Sequence, residues 1–434
     1  MSFLVKVGSI AVLSTDVATT TYAPTSFGFQ PKALLIWGNS TGSGLADQTS
    51  GSQHGRFCKG FATGTGARYC VAVQAEDNSA VTDNDSMVRD DCVFIHLSNA
   101  GASNGRIDVQ SIDADGFTLV VDEQFGNSIA IHYIALGGSD LSDVAVGTWT
   151  EPGSTGVQTI VSGLSFRPTF GLLALTQGTT INTRADSCGI SIGAMDGTNE
   201  WVTLFGETNN LTDGDPWSYS RDGECIAMLD PAAAVDANST NFRASFSSFA
   251  SDGLAINVAE RAASRLGIYL LMRGPRFKVT SIATRADGND IVVTGAGVGT
   301  PRGCLVASNM VAETTADTPV NTAGGAVGFG AAESPTVRRA VSMHTADAAA
   351  TTSAVNIVEF DEVYARLAHG SATIEALMGL VSFDADGATF VMDDPETGGS
   401  EAWAGVVLFG DASVVNGDLS AHIGEPITGS SVLN

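Results

Sequence analysis

The chain has 434 residues, with 21 Lys+Arg against 47 Asp+Glu and a formal net charge of −26. A surface so negative repels phosphate backbones, which argues against a nucleic-acid partner, and the length exceeds what one core ordinarily serves, so about three domains are expected. The hydrophobic fraction of 44% is ample for packed cores, while 50 glycines favour short strands and tight turns. An all-β chain is expected, and with no apolar run of about 18 residues no membrane partner is expected.

The opening MSFLVKVGSIAVLSTDV sets a lysine before a short apolar run, as a leader would. Its core KVGSIAV, from Lys6, recurs as AVGTWTE from Ala145 and KVTSIAT from Lys278, so it reads as a first strand. A proline-led apolar strand follows three times: FQPKALLIWGN, FRPTFGLLALTQG and GTPRGCLVASN. Next comes a glycine-containing strand pair, CKGFATGTGARYCVAV, CGISIGAMDGTNEWVTLF and AVGFGAAESPTVRRAVSM. The phrase SIDADGFTLV, from Ser111, returns as SFASDGLAIN from Ser248 and SFDADGATFV from Ser382, and each unit closes on IAIHYIALGG, LGIYLLMRG or WAGVVLFG.

Five landmarks in fixed order define an internal repeat. The units are placed at 1–138, 139–274 and 275–410, with a C-terminal extension over 411–434. In the first unit, apolar or alternating runs at 5–13, 21–27, 33–37, 57–63, 69–74, 92–97, 106–112, 117–122 and 129–136 predict eight or nine strands. That count suits a β-sandwich or jelly-roll-like domain. Short connections restrict swinging, and three similar faces can close head to tail into a pseudo-threefold body. DEVYARLAHG, from Asp361, is the best candidate for a turn or two of helix.

The Asp-Gly pairs Asp115-Gly116, Asp252-Gly253 and Asp386-Gly387 read as hairpin turns whose glycine supplies a positive φ. Calcium is the competing reading, since DADG resembles the start of an oxygen-ligand loop. No ligand series follows, and Ala250 replaces the first aspartate in the second copy, so no metal is assigned.

The six cysteines show no metal-finger spacing and read as buried free thiols made in a reducing cytoplasm. Cys92 and Cys225 are placed at one repeat position, with AVNIV from Ala354 as the third copy. The histidines His54, His96, His132, His344, His369 and His422 do not recur between units and read as surface or half-buried strand residues. No nucleophile elbow, phosphate loop or singled-out carboxylate pair is present, so neither an enzyme nor a cofactor is expected. Trp217 and Tyr219, in DGDPWSYS, are the candidates for an aromatic platform under a sugar ring.

Phrases such as SFGFQPKALLIWGN, SIDADGFTLV and IAIHYIALGG resemble, in pattern, the structural proteins of tailed-bacteriophage virions. In these, sandwich or jelly-roll-like domains are duplicated in capsid decoration and tail proteins. The resemblance spans all three units and carries over no functional residue. It implies a non-enzymatic virion protein made in the host cytoplasm. The first expectation is a capsid decoration (cement) protein whose repeats bind the assembled shell, with the major capsid protein as partner and further copies of itself as neighbours. The alternative is a tail-associated receptor or carbohydrate-binding protein. The extension, ending in apolar Val432 and Leu433, is expected to act as a partner-binding arm.

Overall fold

The computed structural model describes all residues except 1, 43, 51–53, 99–100, 213, 230–239, 262–263, 311–323, 348–351, 369–370, 397–400 and 413–434. The described residues form strands joined by turns, without a helix. The first eleven strands are β1 (Phe3–Val12), β2 (Thr21–Tyr22), β3 (Pro31–Asn39), β4 (Gln48–Ser50), β5 (Gly55–Gly64), β6 (Ala67–Ala75), β7 (Asp85–Arg89), β8 (Phe94–Leu97), β9 (Ser103–Asp113), β10 (Gly116–Glu123) and β11 (Ile129–Gly138). Then come β12 (Asp143–Thr150), β13 (Gly156–Val161), β14 (Phe170–Thr176), β15 (Ala185–Asp186), β16 (Cys188–Met195), β17 (Glu200–Glu207), β18 (Pro216–Asp222), β19 (Ile226–Leu229), β20 (Thr240–Ala250), β21 (Gly253–Glu260) and β22 (Leu266–Arg273). The last are β23 (Arg276–Ala283), β24 (Asp290–Val293), β25 (Gly303–Ser308), β26 (Gly325–Ser334), β27 (Val337–Thr345), β28 (Ala354–Glu359), β29 (Tyr364–Leu367), β30 (Ile374–Asp384), β31 (Gly387–Asp394) and β32 (Trp403–Gly410).

All pairings are antiparallel, and one topology recurs. A large sheet runs β1-β11-β3-β5-β6-β7, then β12-β22-β14-β16-β17-β18, then β23-β32-β25-β26-β27-β28. Each is faced by a four-stranded sheet: β2-β10-β9-β8, β13-β21-β20-β19 and β24-β31-β30-β29.

The large sheets are buried on both faces. Along β3, Ala33, Leu35 and Trp37 enter one hydrophobic cluster while Leu34 and Ile36 enter another. β14 divides likewise, Leu172 and Ala174 from Leu173 and Leu175, and so does β25, Leu305 and Ala307 from Cys304 and Val306. One set of positions fills the sandwich between a large sheet and its own small one. The other set, from all three large sheets, meets in a single shared core. Because successive strand residues point to opposite faces, burial on both turns the expected alternation into the unbroken runs ALLIW, FGLLAL and CLVA. At one end of the shared core Phe3, Phe170, Phe277 and Phe409 form an aromatic cluster, with Phe170 stacked on Phe277 at 4.3 Å between ring centroids.

The three sheet pairs also exchange strands. β15, two residues long and between β14 and β16 in sequence, adds to the edge of the first large sheet beside β7. β4, three residues long and between β3 and β5, adds to the third large sheet beside β28. The third pair reaches the second through Asn309, which donates to Leu204 O at 2.9 Å and accepts from Ser220 Oγ at 2.7 Å. Each pair therefore grips the one before it, and the first closes the ring on the third. The seams repeat in detail. Val7 N donates to the Glu333 carboxylate, and the corresponding Val279 N donates to Asp196 Oδ2 at 2.8 Å.

The turn glycines are retained for a different reason from the one expected. In the hairpins, Asp113, Ala250 and Asp384 pair with Gly116, Gly253 and Gly387, so each glycine opens the following strand and lies outside the two-residue bend. Only Gly116 has a positive φ, at 151°. What the three share is close approach: a Cβ would lie 2.0 Å from Pro24 O, 1.9 Å from Val161 O and 1.8 Å from Val293 O, on the chain beside β2, β13 and β24. A second landmark behaves alike, since a Cβ on Gly60, Gly193 or Gly330 would meet Val93 O, Cys225 O or Val363 O at 1.9, 1.8 and 2.1 Å.

Those carbonyl contacts also revise two readings of the sequence. Cys225 occupies the place of Val93 and Val363, one position away from that of Cys92. AVNIV belongs to β28, the counterpart of β7, whereas the third copy of CVFIHL is Val363–Leu367. That stretch is strand β29 where a helix was expected, because Val363, Tyr364, Ala365 and Leu367 are all buried and β30 supplies a pairing edge.

Replacing Gly387 by alanine should destabilise the fold by about 2 kcal/mol or more, because a backbone carbonyl must move. Alanine at Gly288, which has no neighbour within 4 Å, should leave stability within about 0.5 kcal/mol. Urea denaturation of the two variants checks both.

Candidate functional site

The opening aspartates of the repeated phrase are spent on the fold. Asp113 accepts from Ser111 Oγ and Thr118 Oγ1, both at 2.8 Å, and Asp384 accepts from Ser382 Oγ at 2.7 Å and Thr389 Oγ1 at 2.8 Å. In the second copy both the acid and the threonine are alanines, Ala250 and Ala255, so the pair is lost together. The second aspartates, Asp115, Asp252 and Asp386, accept from the amides of Gly28, Gly163 and Gly299. These carboxylates fix the loop beyond each edge strand.

The edge strands β2, β13 and β24 each pair on one side only among the described residues, at the same place in the three small sheets. Their outward side chains include Val157 and Val292, 65% and 55% exposed. An open strand edge carrying apolar side chains is a template for another chain. The arrangement offers equivalent attachment edges around the body.

Trp217 and Tyr219 lie on β18 and face one way, two residues apart. Tyr219 is buried and donates to Glu224 Oε2 at 2.9 Å, so its ring is closed to a sugar. Trp217 is half-buried against Val202, Leu204, Tyr219, Ala227 and Leu229. The run DGDPWSYS thus reaches the sheet through Pro216, and the aromatic pair is largely packing. Val432 and Leu433 lie outside the described residues.

All six cysteines are free and buried. His96, His132 and His344 are buried more deeply than the sequence suggested. Burial pushes His96 and His132 down to about 3, each with a nearby guanidinium, Arg56 or Arg339, adding to the effect.

The sequence gave no sign of the charged groups sealed at the seams. Lys59 projects from β5 into the shared core, fully buried, with Nζ 3.0 Å from the centroid of the Phe329 ring and 5.1 Å from that of Trp37. Its ammonium has no hydrogen-bond partner, and burial drives its pKa well below the usual lysine value. Phe329 occupies in the third pair the strand position that Lys59 holds in the first, so the two meet near the centre of the ring. Glu207, at the end of β17, lies beside Asn84 of the first pair and Thr345 of the third. It lines a cavity of about 10 Å³, room for one water, with Gln177, Cys188, Trp217 and Leu229. Burial first, then the charges of Asp215 and Asp347, push it up to about 8. Asp85 is likewise pushed up by burial, to about 6, although Arg184 reaches across the seam to bond it.

No protein-family model matches the chain, and no curated protein matches it. Among solved structures, it is similar to a chain from the atomic structure of Sulfolobus Turreted Icosahedral Virus, with a TM-score of 0.21 and 9% identity. The match covers 62% of this chain and 90% of that one. A likeness at that level bears neither on the fold nor on the role.

Two outcomes follow from the sealed charges. Lys59→Met keeps the stem and removes an unpaired ammonium, and should raise stability by about 1–2 kcal/mol in chemical denaturation. Glu207 binds its proton more tightly folded than unfolded, so its contribution is present below about pH 4.5 and is lost as pH rises towards 8. The buried histidines act oppositely, their contribution being present above about pH 6.5 and lost as pH falls towards 3. Across a melting-temperature profile, Glu207→Gln should flatten the alkaline arm and leave the acid arm in place.

Proposed function

We propose that the chain is a non-enzymatic virion structural protein, a capsid decoration protein that binds the assembled shell through equivalent edges of its three sheet pairs. The observation that carries this reading is the head-to-tail ring, in which one chain presents the same outer sheet and the same edge strand three times. A body of that kind matches a local threefold site on a shell, where three identical neighbours offer three identical contacts. The repeated phrases that resemble tailed-phage virion proteins supply the setting, with the major capsid protein as the partner. Net charge of −26 suits a protein kept soluble at high local concentration until it docks.

Quantitative mass spectrometry of purified particles tests the proposal. Decoration requires copies in the hundreds, in fixed ratio to the major capsid protein. A tail-associated receptor or carbohydrate binder would be present at only a few to about a dozen copies, set by tail symmetry, and that count would overturn the decoration reading.

A further inference from the structure

Asp47 immediately precedes β4, the short strand that the first sheet pair lends to the third. Glu359 ends β28, the strand on which β4 lies, and Asp361 is two residues beyond. One carboxylate oxygen from each residue lies within 4.8 Å of the other two. Asp47 and Asp361 are exposed, whereas Glu359 is only 3% exposed. Phe360 N donates to Asp47 Oδ1 at 2.7 Å and so orients it.

Among the described residues, no donor or cation is bonded to the Glu359 carboxylate. Arg339 senses Asp47 and Asp361, but its hydrogen bonds go to Ser9 Oγ and to the carbonyls of Arg338 and Phe360. Other buried carboxylates of the fold face an arginine directly, as Glu151 faces Arg265 at 3.1 Å and Glu396 faces Arg366 at 2.8 Å. A buried carboxylate aimed at two others, without a counter-charge, calls for a cation from solvent. Calcium takes six to eight oxygens at 2.3–2.6 Å, so oxygens up to about 4.8 Å apart can share one ion, and the two exposed acids leave its remaining positions to water.

We propose that Asp47, Glu359 and Asp361 bind a hard divalent cation of calcium size, which fastens the exchanged strand β4 to β28 and so locks the first sheet pair to the third. The site joins residues about 310 positions apart in sequence that only ring closure brings together. Occupancy therefore stabilises the closed body.

The test is calcium titration of the full chain after chelator treatment, by calorimetry and by melting temperature. Wild type should bind one equivalent with a dissociation constant of about 10⁻⁴ to 10⁻³ M and melt at higher temperature when loaded. Glu359→Gln should melt higher than wild type without calcium, because it removes the repulsion, and should bind calcium at least about tenfold more weakly. Asp361→Asn, on the exposed side, should fold normally and also lose the calcium response. Absence of heat and of stabilisation at about 10 mM calcium would overturn the proposal. So would binding by Glu359→Gln equal to wild type, or an equal rise in melting temperature with sodium chloride of matched ionic strength.

Discussion

The structure depends on burial of both faces of the three large sheets. A sandwich in isolation would expose the inner row of one large sheet, among it Trp37, Phe57, Phe61 and Val73 in the first pair, all now almost inaccessible to water. Each such side chain is worth about 1.5–3 kcal/mol when fully removed from water. The inner rows can be covered only by one another, so the shared core, rather than the linkers, determines how the units sit. The connections agree with that geometry. β22 ends at Arg273 and β23 begins at Arg276, and Lys32 Nζ holds the first connection through Gly138 O and Leu141 O at 3.1 and 2.6 Å.

Strand exchange adds direction to what the core does by bulk. β15 and β4 are too short to be stable pairings by themselves. Each nevertheless carries a segment of chain across a seam, where polar groups of both sides are satisfied together. Asn39 Nδ2 donates to Ser342 O and Ile357 O, as Asn309 does to Leu204 O at the next seam. The equivalence is incomplete where the units have diverged. Lys59, Ile192 and Phe329 occupy one strand position, and the ring tolerates an unpaired lysine there because an aromatic face lies over it. Edge strands that each unit would otherwise leave open on the inside are covered, while β2, β13 and β24 stay open on the outside.

Much of this was legible in the sequence. The all-β class, the order of landmarks and the nine strand runs of the first unit all have counterparts in the strands observed, because turn residues and apolar runs are local signals. Ring closure was legible only as a possibility of symmetry. The unbroken apolar runs ALLIW and FGLLAL carried the evidence for a second buried face, but a run buried on two faces reads the same whether the second cover is its own domain or a neighbour. The glycines of SIDADG, SFASDG and SFDADG were visible as a demand on the backbone. The nature of that demand, a carbonyl of a distant strand within 2.0 Å of where a Cβ would be, is a tertiary fact. The same holds for Asp47 and Glu359, which share no motif and meet only because β4 crosses to another sheet. Tyr219 misled because a tyrosine next to turn residues looks exposed, whereas its strand partner Leu204 and the acceptor Glu224 bury it.

The central claim is that one shared core makes the three sheet pairs a single cooperative body. Differential scanning calorimetry of the chain tests it directly. The account predicts one transition with a van't Hoff enthalpy close to the calorimetric enthalpy for the whole described body. Separate transitions, each with about a third of the total enthalpy, would show three sandwiches that fold alone and would contradict it.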